Sequence, residues 1–206
     1  NSISALSSSC KCFSSIMSIG HTRWIAAVFS AFCLLCAPAT VLAQTQLGVD
    51  IDGESAEDSS GAVSLSSDGN RLAIGATGND GNGSESGHTR VYQWSGSVWT
   101  QLGSDIDGEA AGDHSGSSVS LSSDGNRLAI GATGNDGNGN LSGHVRVYEW
   151  SGISWTQLGS DIDGAAAGDE VGLAVSLSSD GNRLAIGTPY NNGNSGHVRV
   201  LEWADS

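Results

Sequence analysis

The sequence predicts an all-β chain organised as an incomplete β-propeller, with three four-stranded antiparallel repeats of about 56 residues each. Three observations carry this prediction. The thirteen residues VSLSSDGNRLAIG occur unchanged at Val63–Gly75, Val119–Gly131 and Val175–Gly187, 56 residues apart both times. Within each copy, short runs alternating with a period of two are broken by Asp-Gly or Ser-Gly, which are turn signals. Both faces of those runs carry apolar residues, so one sheet cannot bury them alone and must stack against a copy of itself.

The middle copy shows the elements in order. Val119-Ser120-Leu121-Ser122 alternates apolar and small polar residues, Asp124-Gly125 reverses the chain, and Leu128 and Ile130 share one face of the second run. In the third run, His144 to Trp150, Val145 and Val147 lie on one face and Tyr148 and Trp150 on the other. Ser151-Gly152 ends it, and Ile153 to Leu158, containing Trp155, is the fourth. A parallel β-helix is the rival architecture, but it has no use for a hairpin turn in every unit. The third unit reaches Trp203 without a fourth strand, and three units fall short of the four to eight blades of a propeller. The expectation is therefore a fragment, with self-association through open blade edges as the alternative.

Three regions divide the chain. Residues 1–16 precede Met17 and read as a gene-model extension or an unstructured stretch. Residues 17–43 read as a signal peptide: His21 and Arg23, an apolar run from Trp24 to Leu42, and the small-residue pattern Val41-Leu42-Ala43. A transmembrane anchor is the poorer fit, because the run contains Pro38. Residues 44–206 hold the repeats, as units 44–99, 100–155 and 156–206. Cys10, Cys12, Cys33 and Cys36 all precede that region, so disulfides cannot staple it. It also carries all 22 acids of the chain against six arginines, which excludes binding to nucleic acid or to anionic lipid. The expected location is extracellular or at the cell surface, with no membrane insertion once the signal is removed.

Candidate chemistry is sparse. Each unit has an acidic cluster: Asp50 and Asp52 with Glu54 and Asp58; Asp105 and Asp107 with Glu109 and Asp113; Asp161 and Asp163 with Asp169. Alternate carboxylates followed by Gly make Asp50, Asp52, Asp105, Asp107, Asp161 and Asp163 candidate calcium ligands, although the closing Glu of a calcium loop is out of register. The competing reading is solvated acids whose side chains cap turns. His88, His144 and His197 recur at one position per unit, which suits a structural hydrogen bond to a neighbouring loop better than a catalytic centre, since catalysis needs an asymmetric constellation. Neither Gly-x-Ser-x-Gly nor His-Glu-x-x-His occurs. No catalytic residue and no cofactor other than calcium is assigned. The six arginines are expected to pair with carboxylates and the tryptophans to pack between blades. The loops 77–87, 133–143 and 188–196 are rich in Gly and Asn and vary while their flanks do not, as binding loops on a rigid scaffold do.

These units resemble FG-GAP repeats, the blades of the integrin α-subunit propeller and of many secreted microbial proteins. The family's Phe-Gly position falls on Ser60-Gly61, Ser115-Gly116 and Val171-Gly172, and its Gly-Ala-Pro position on Gly75-Ala76-Thr77, Gly131-Ala132-Thr133 and Gly187-Thr188-Pro189. Phe is missing from all three and Pro from two, which points to a divergent bacterial-type branch. The resemblance implies an extracellular propeller used for adhesion or ligand binding. The family's calcium hairpin is not carried over, because Asp68, Asp124 or Asp180 supplies a single carboxylate there. The expected function is a secreted, non-enzymatic scaffold binding an extracellular protein or glycan. The alternatives are part of a propeller-type carbohydrate-active hydrolase or lectin, and a structural cell-surface protein.

Overall fold

A computed structural model describes residues 43–203. The predicted extension, all four cysteines and the signal peptide up to Leu42 lie outside the described residues. The three sequence units fold into three antiparallel sheets stacked as the blades of an incomplete β-propeller. They are separate sheets, as the Asp-Gly turns require, and not coils wound on one axis.

The first sheet consists of β1 (Ser60–Leu65), β2 (Arg71–Ala76), β3 (His88–Trp94), β4 (Trp99–Gln101) and β5 (Ile106–Asp107). Strands β4 and β5 both pair with β3, so they are two halves of one interrupted outer strand. The second sheet repeats this plan with β6 (Ser115–Leu121), β7 (Arg127–Ala132), β8 (His144–Trp150), β9 (Trp155–Gln157) and β10 (Ile162–Asp163). The third comprises β11 (Ala174–Leu177), β12 (Arg183–Thr188) and β13 (His197–Glu202), joined in that order. Between β12 and β13 the shortened third loop makes one helical turn, α1 (Asn191–Asn194). Among the described residues no helix is long and apolar enough to cross a membrane.

The sheets are out of phase with the sequence units 44–99, 100–155 and 156–206. The Gln-Leu-Gly-x-Asp-Ile-Asp-Gly segment opens a sequence unit, yet its ladder bonds go backward to β3 or β8 and close the preceding sheet. The fourth run is also shorter than its pattern suggests. Ile153 is 86% exposed in the turn, and pairing starts at Trp155.

Alternation sets the two faces of each sheet. Leu121, Leu128, Ile130 and Tyr148 turn toward the first sheet and pack with Ala73, Val91 and Ile106. Ala129, Val145 and Val147, on the opposite face, pack with Val171, Leu184 and Ile186 of the third sheet. Every blade thus offers a large-residue face to the blade before it and a small-residue face to the blade after it. Each fully buried Leu or Ile contributes about 2 kcal/mol relative to exposure.

Polar contacts fix the stacking at the hairpin end. Ser67 N–H donates to the Ser123 carbonyl and Ser123 N–H to the Ser179 carbonyl, both at 2.9 Å. Of the three arginines after the turns, Arg183 pairs with an acid as expected, at 3.0 Å from Glu202, and the other two reach across to the next blade. Arg71 donates to the Gly125 carbonyl (2.9 Å) and the Asn126 side chain (2.5 Å), and Arg127 repeats this on Gly181 and Asn182. Within its own sheet Arg127 also approaches Glu149, at 3.4 Å.

Each turn is closed by its own aspartate. Asp68 accepts from the Ser66 hydroxyl (2.6 Å), the Asn70 N–H (2.9 Å) and the Asn70 side-chain amide (2.9 Å). Led by the Ser66 bond, these hold its carboxyl at about 2, below the ordinary 3.8. For Asp124 burial pulls upward, and the bonds from Ser122 and Asn126 together outweigh it, so the net shift is again downward. A depressed folded value stabilises fully above the ordinary carboxyl range and is lost as pH falls through the folded value. The melting temperature gap between wild type and Asp68→Asn is therefore expected to be constant down to about pH 4.5 and to close toward pH 2. Thermal melts across that range check it, and a gap independent of pH contradicts it.

Candidate functional site

The loops that carry polar chemistry lie at the opposite end of the sheets from the Asp-Gly turns. Their frame is a buried aspartate in the crossover entering each sheet. Asp58 accepts from the N–H groups of Glu54 (2.8 Å) and Ser55 (2.9 Å), and Asp113 from those of Glu109 and Ala110 (3.0 Å each). Asp169 does the same for Ala165 and Ala166. Each of these aspartates also receives the side-chain amide of an asparagine in the next loop: Asn79, Asn135 or Asn191. Asn79 in turn accepts from the Gly81 N–H at 2.8 Å, so one buried carboxylate fixes both crossover and loop.

The six candidate calcium ligands are spread apart by this arrangement. Asp105 and Asp161 lie in the breaks between β4 and β5 and between β9 and β10, and Asp50 lies ahead of the first strand; each accepts from a glutamine four residues earlier (Gln46, Gln101 and Gln157) at 2.8, 2.6 and 2.7 Å. Asp52, Asp107 and Asp163 act through their backbone carbonyls, which accept from Arg90 (2.8 Å), Arg146 (2.7 Å) and Arg199 (3.0 Å).

Two groupings form that sequence spacing did not suggest. His88 Nδ1 lies 4.0 Å from Glu54 Oε2 and 3.9 Å from Asp105 Oδ2. In the second sheet His144 Nδ1 lies 3.8 Å from Glu109 Oε2 and 4.0 Å from Asp161 Oδ2. Both imidazoles are 1% exposed at the start of β3 or β8, while the glutamates stand half-exposed on the crossovers. The other oxygen of each glutamate faces Arg90 (3.6 Å) or Arg146 (3.8 Å), whose guanidinium lies 5.7 Å from the Tyr92 or Tyr148 ring centre. Burial pushes the His144 imidazole below its ordinary range and Arg146 adds to this, against the pull of Asp161 and Glu109. The expected hydrogen bond from His88 to a loop does not form: neither of its ring nitrogens has a partner. Sequence carried one usable signal for these groupings. Glutamate precedes a unit histidine twice, at 54 and 109, and the third unit has Ala165 there.

Trp155 and Trp203 pack against the interblade clusters, as expected, and four of the tryptophans also form two pairs. Trp94 packs on Trp99 and Trp150 on Trp155, with ring centres 5.2 and 5.3 Å apart. Trp155 Nε1–H donates to the Leu102 carbonyl of the preceding outer strand at 2.9 Å.

Backbone contact between blades falls at two recurring glycine positions. Gly116 sits against Gly75 of the first sheet, and a Cβ on Gly75 would lie 2.1 Å from the Gly116 oxygen. Gly172 meets Gly131 in the same way, at 2.0 Å. These are the Phe-Gly and Gly-Ala-Pro positions of the resemblance, and the model of the FG-GAP repeat matches residues 105–148. The chain carries an FG-GAP repeat.

In this FG-GAP repeat Gly116 and Gly131 each lie directly against the backbone of a neighbouring blade. No curated protein matches the chain. Among solved structures it is similar to hydrazine synthase of Kuenenia stuttgartiensis, at 15% identity and a TM-score of 0.47, over 69% of this chain and 34% of that one. A candidate 6-phosphogluconolactonase of Bacteroides fragilis matches at 11% and 0.49, over 71% of this chain and 35% of that one. The tricorn protease matches at 10% and 0.36, over 67% and 12%. The chain thus spans about a third of the length of the first two. At these values the likenesses carry no inference about chemistry.

Proposed function

We propose that this chain is a secreted, non-enzymatic repeat scaffold whose acidic end loops bind an extracellular protein or glycan. The observation that carries this is a cleft of about 340 Å³ between residues 55–58 and 78–85, lined by Glu57, Asp58, Asn79, Asp80, Ser84 and Glu85. Its walls are fixed before any partner arrives. Asp58 ties them together through Asn79, and Glu57 and Glu85 hold left-handed backbone (φ 73° and 52°), which non-glycine residues adopt at a cost. Convergent carboxylates and amides in a rigid cleft suit the hydroxyls of a sugar or the cationic side chains of a protein.

Glycan arrays and binding to immobilised extracellular proteins test this, using wild type and Asp80→Ser/Glu85→Ser. Both altered side chains are exposed. The double variant is expected to lose at least about tenfold in affinity, the scale of one or two charge-assisted contacts. Equal affinity moves the site elsewhere, and turnover of a bound glycan replaces the scaffold reading with the hydrolase. Secretion predicts a mature N-terminus at Gln44 in the culture medium, which mass spectrometry reads directly.

The two end sheets supply the partner for self-association. Val198 and Val200 are 69% and 66% exposed on the third sheet, whereas their counterparts Val145 and Val147 are buried beneath a following blade. Val63 and Leu65 are exposed on the first sheet, whereas Leu121, the counterpart of Leu65, is buried beneath a preceding one. A second copy joined head to tail brings these faces together as the internal blades already do. Molar mass in solution should then rise with concentration, and Val198→Asp/Val200→Asp should keep the chain monomeric. A wild type that remains monomeric at all concentrations rejects this.

A further inference from the structure

We infer that Glu54, His88 and Asp105, and separately Glu109, His144 and Asp161, each hold one divalent cation of the zinc class, pinning a crossover to the sheet it enters. In each group the imidazole nitrogen and the two carboxylate oxygens lie within 4.8 Å of one another. A point equidistant from such a trio is roughly 2.3–2.5 Å from each atom, and zinc bonds to His nitrogen and carboxylate oxygen are about 2.0–2.2 Å. A small rotation of the half-exposed glutamate closes that difference.

A second observation separates these groups from an ordinary acidic cluster. His88 is 1% exposed, neither ring nitrogen makes a hydrogen bond, and Nδ1 points between the two carboxylates. Burying a polar ring without a partner is costly, and a cation bound at Nδ1 supplies a partner to that nitrogen. The same spacing recurs 56 residues later, where His144 Nδ1 lies 3.8 Å from Glu109 Oε2 and 4.0 Å from Asp161 Oδ2. A neutral imidazole with two carboxylates is a nitrogen and oxygen donor set that suits zinc and its transition-metal neighbours. Calcium prefers six to eight oxygens. Arg90 and Arg146 add one positive charge to each group, leaving it at −1 before the cation binds.

The third unit is an internal control. Ala165 stands where Glu54 and Glu109 stand, and no such group includes His197 among the described residues. Titration calorimetry of the chelator-stripped mature chain, from Gln44 onward and so without the zinc-binding thiols of Cys10, Cys12, Cys33 and Cys36, with zinc chloride tests the inference. The expected stoichiometry is two ions per chain, falling to one in His144→Ala and to none in His88→Ala/His144→Ala, and staying at two in His197→Ala. Glu54→Gln/Glu109→Gln, altered only at half-exposed positions, guards against misfolding and should weaken both sites at least about tenfold. Substituted cobalt should give a visible spectrum that vanishes with the two histidines. Zinc stoichiometry that is zero in wild type, or unchanged in the double histidine variant, overturns the inference, as does calcium binding at equal affinity.

Discussion

Gly131→Ala is expected to destabilise the chain by about 3 kcal/mol or to prevent folding, while Gly187→Ala changes stability by less than about 0.5 kcal/mol. The two glycines occupy the same place in an identical thirteen-residue sequence, so local propensity predicts equal effects. Tertiary contact makes them unequal. A Cβ at Gly131 lies 2.0 Å from the Gly172 oxygen and 2.7 Å from Ser118 Oγ, and Gly172 itself has φ +96°. Both obstructing groups belong to the stacking contact between the second and third sheets. Relief would require those sheets to part, opening the cluster around Val145, Val147, Leu184 and Ile186. At Gly187 the nearest atom to an added Cβ is Ala174 Cβ at 3.4 Å, an ordinary contact. Urea unfolding of the two variants and of Gly75→Ala decides the matter: Gly75→Ala should behave like Gly131→Ala, and equal values for all three would refute the interblade explanation.

Asp113→Ala should cost about 3 kcal/mol, and Asp113→Asn about 1 kcal/mol. The Asp113 carboxylate is 2% exposed and accepts from two backbone N–H groups and the Asn135 amide. Alanine leaves those donors buried without an acceptor. Asparagine keeps one oxygen for the Glu109 and Ala110 N–H groups but sets its own amide against that of Asn135. Hydrogen exchange provides a local readout: protection at Glu109 and Ala110 should collapse in Asp113→Ala and largely survive in Asp113→Asn. Unchanged exchange in the alanine variant would show that the crossover is held by something other than this carboxylate.

Much of the fold was legible because alternation is a local property. Leu128 and Ile130 share a face, and Val145 and Val147 share the opposite one, whatever packs on them. The outer strand was harder to place. The run from Gln101 to Gly108 reads equally well as the start of one unit or the end of another, and only its ladder bonds to β3 assign it. At the candidate site the acids were recognised as a recurring cluster, but spacing along the chain grouped Asp105 with Asp107. In the folded chain Asp105 faces His88, and Asp107 turns its carbonyl to Arg146. Residues two apart on a regular strand would share a face, but Asp105 lies in the break between β4 and β5 while Asp107 lies within β5, so one carboxylate faces His88 and the other lies beside Gly81.

Sequence alone determined the repeat, the strand faces and the need for stacked sheets, because each follows from periodicity and from how much apolar surface a single sheet leaves uncovered. Which glycines must lack a side chain, which acids meet a histidine, and where each arginine sends its guanidinium were decided by tertiary structure. Those contacts join residues 17 to 55 positions apart, across a blade boundary or between a sheet and its crossover, and no local pattern encodes how closely two backbones approach.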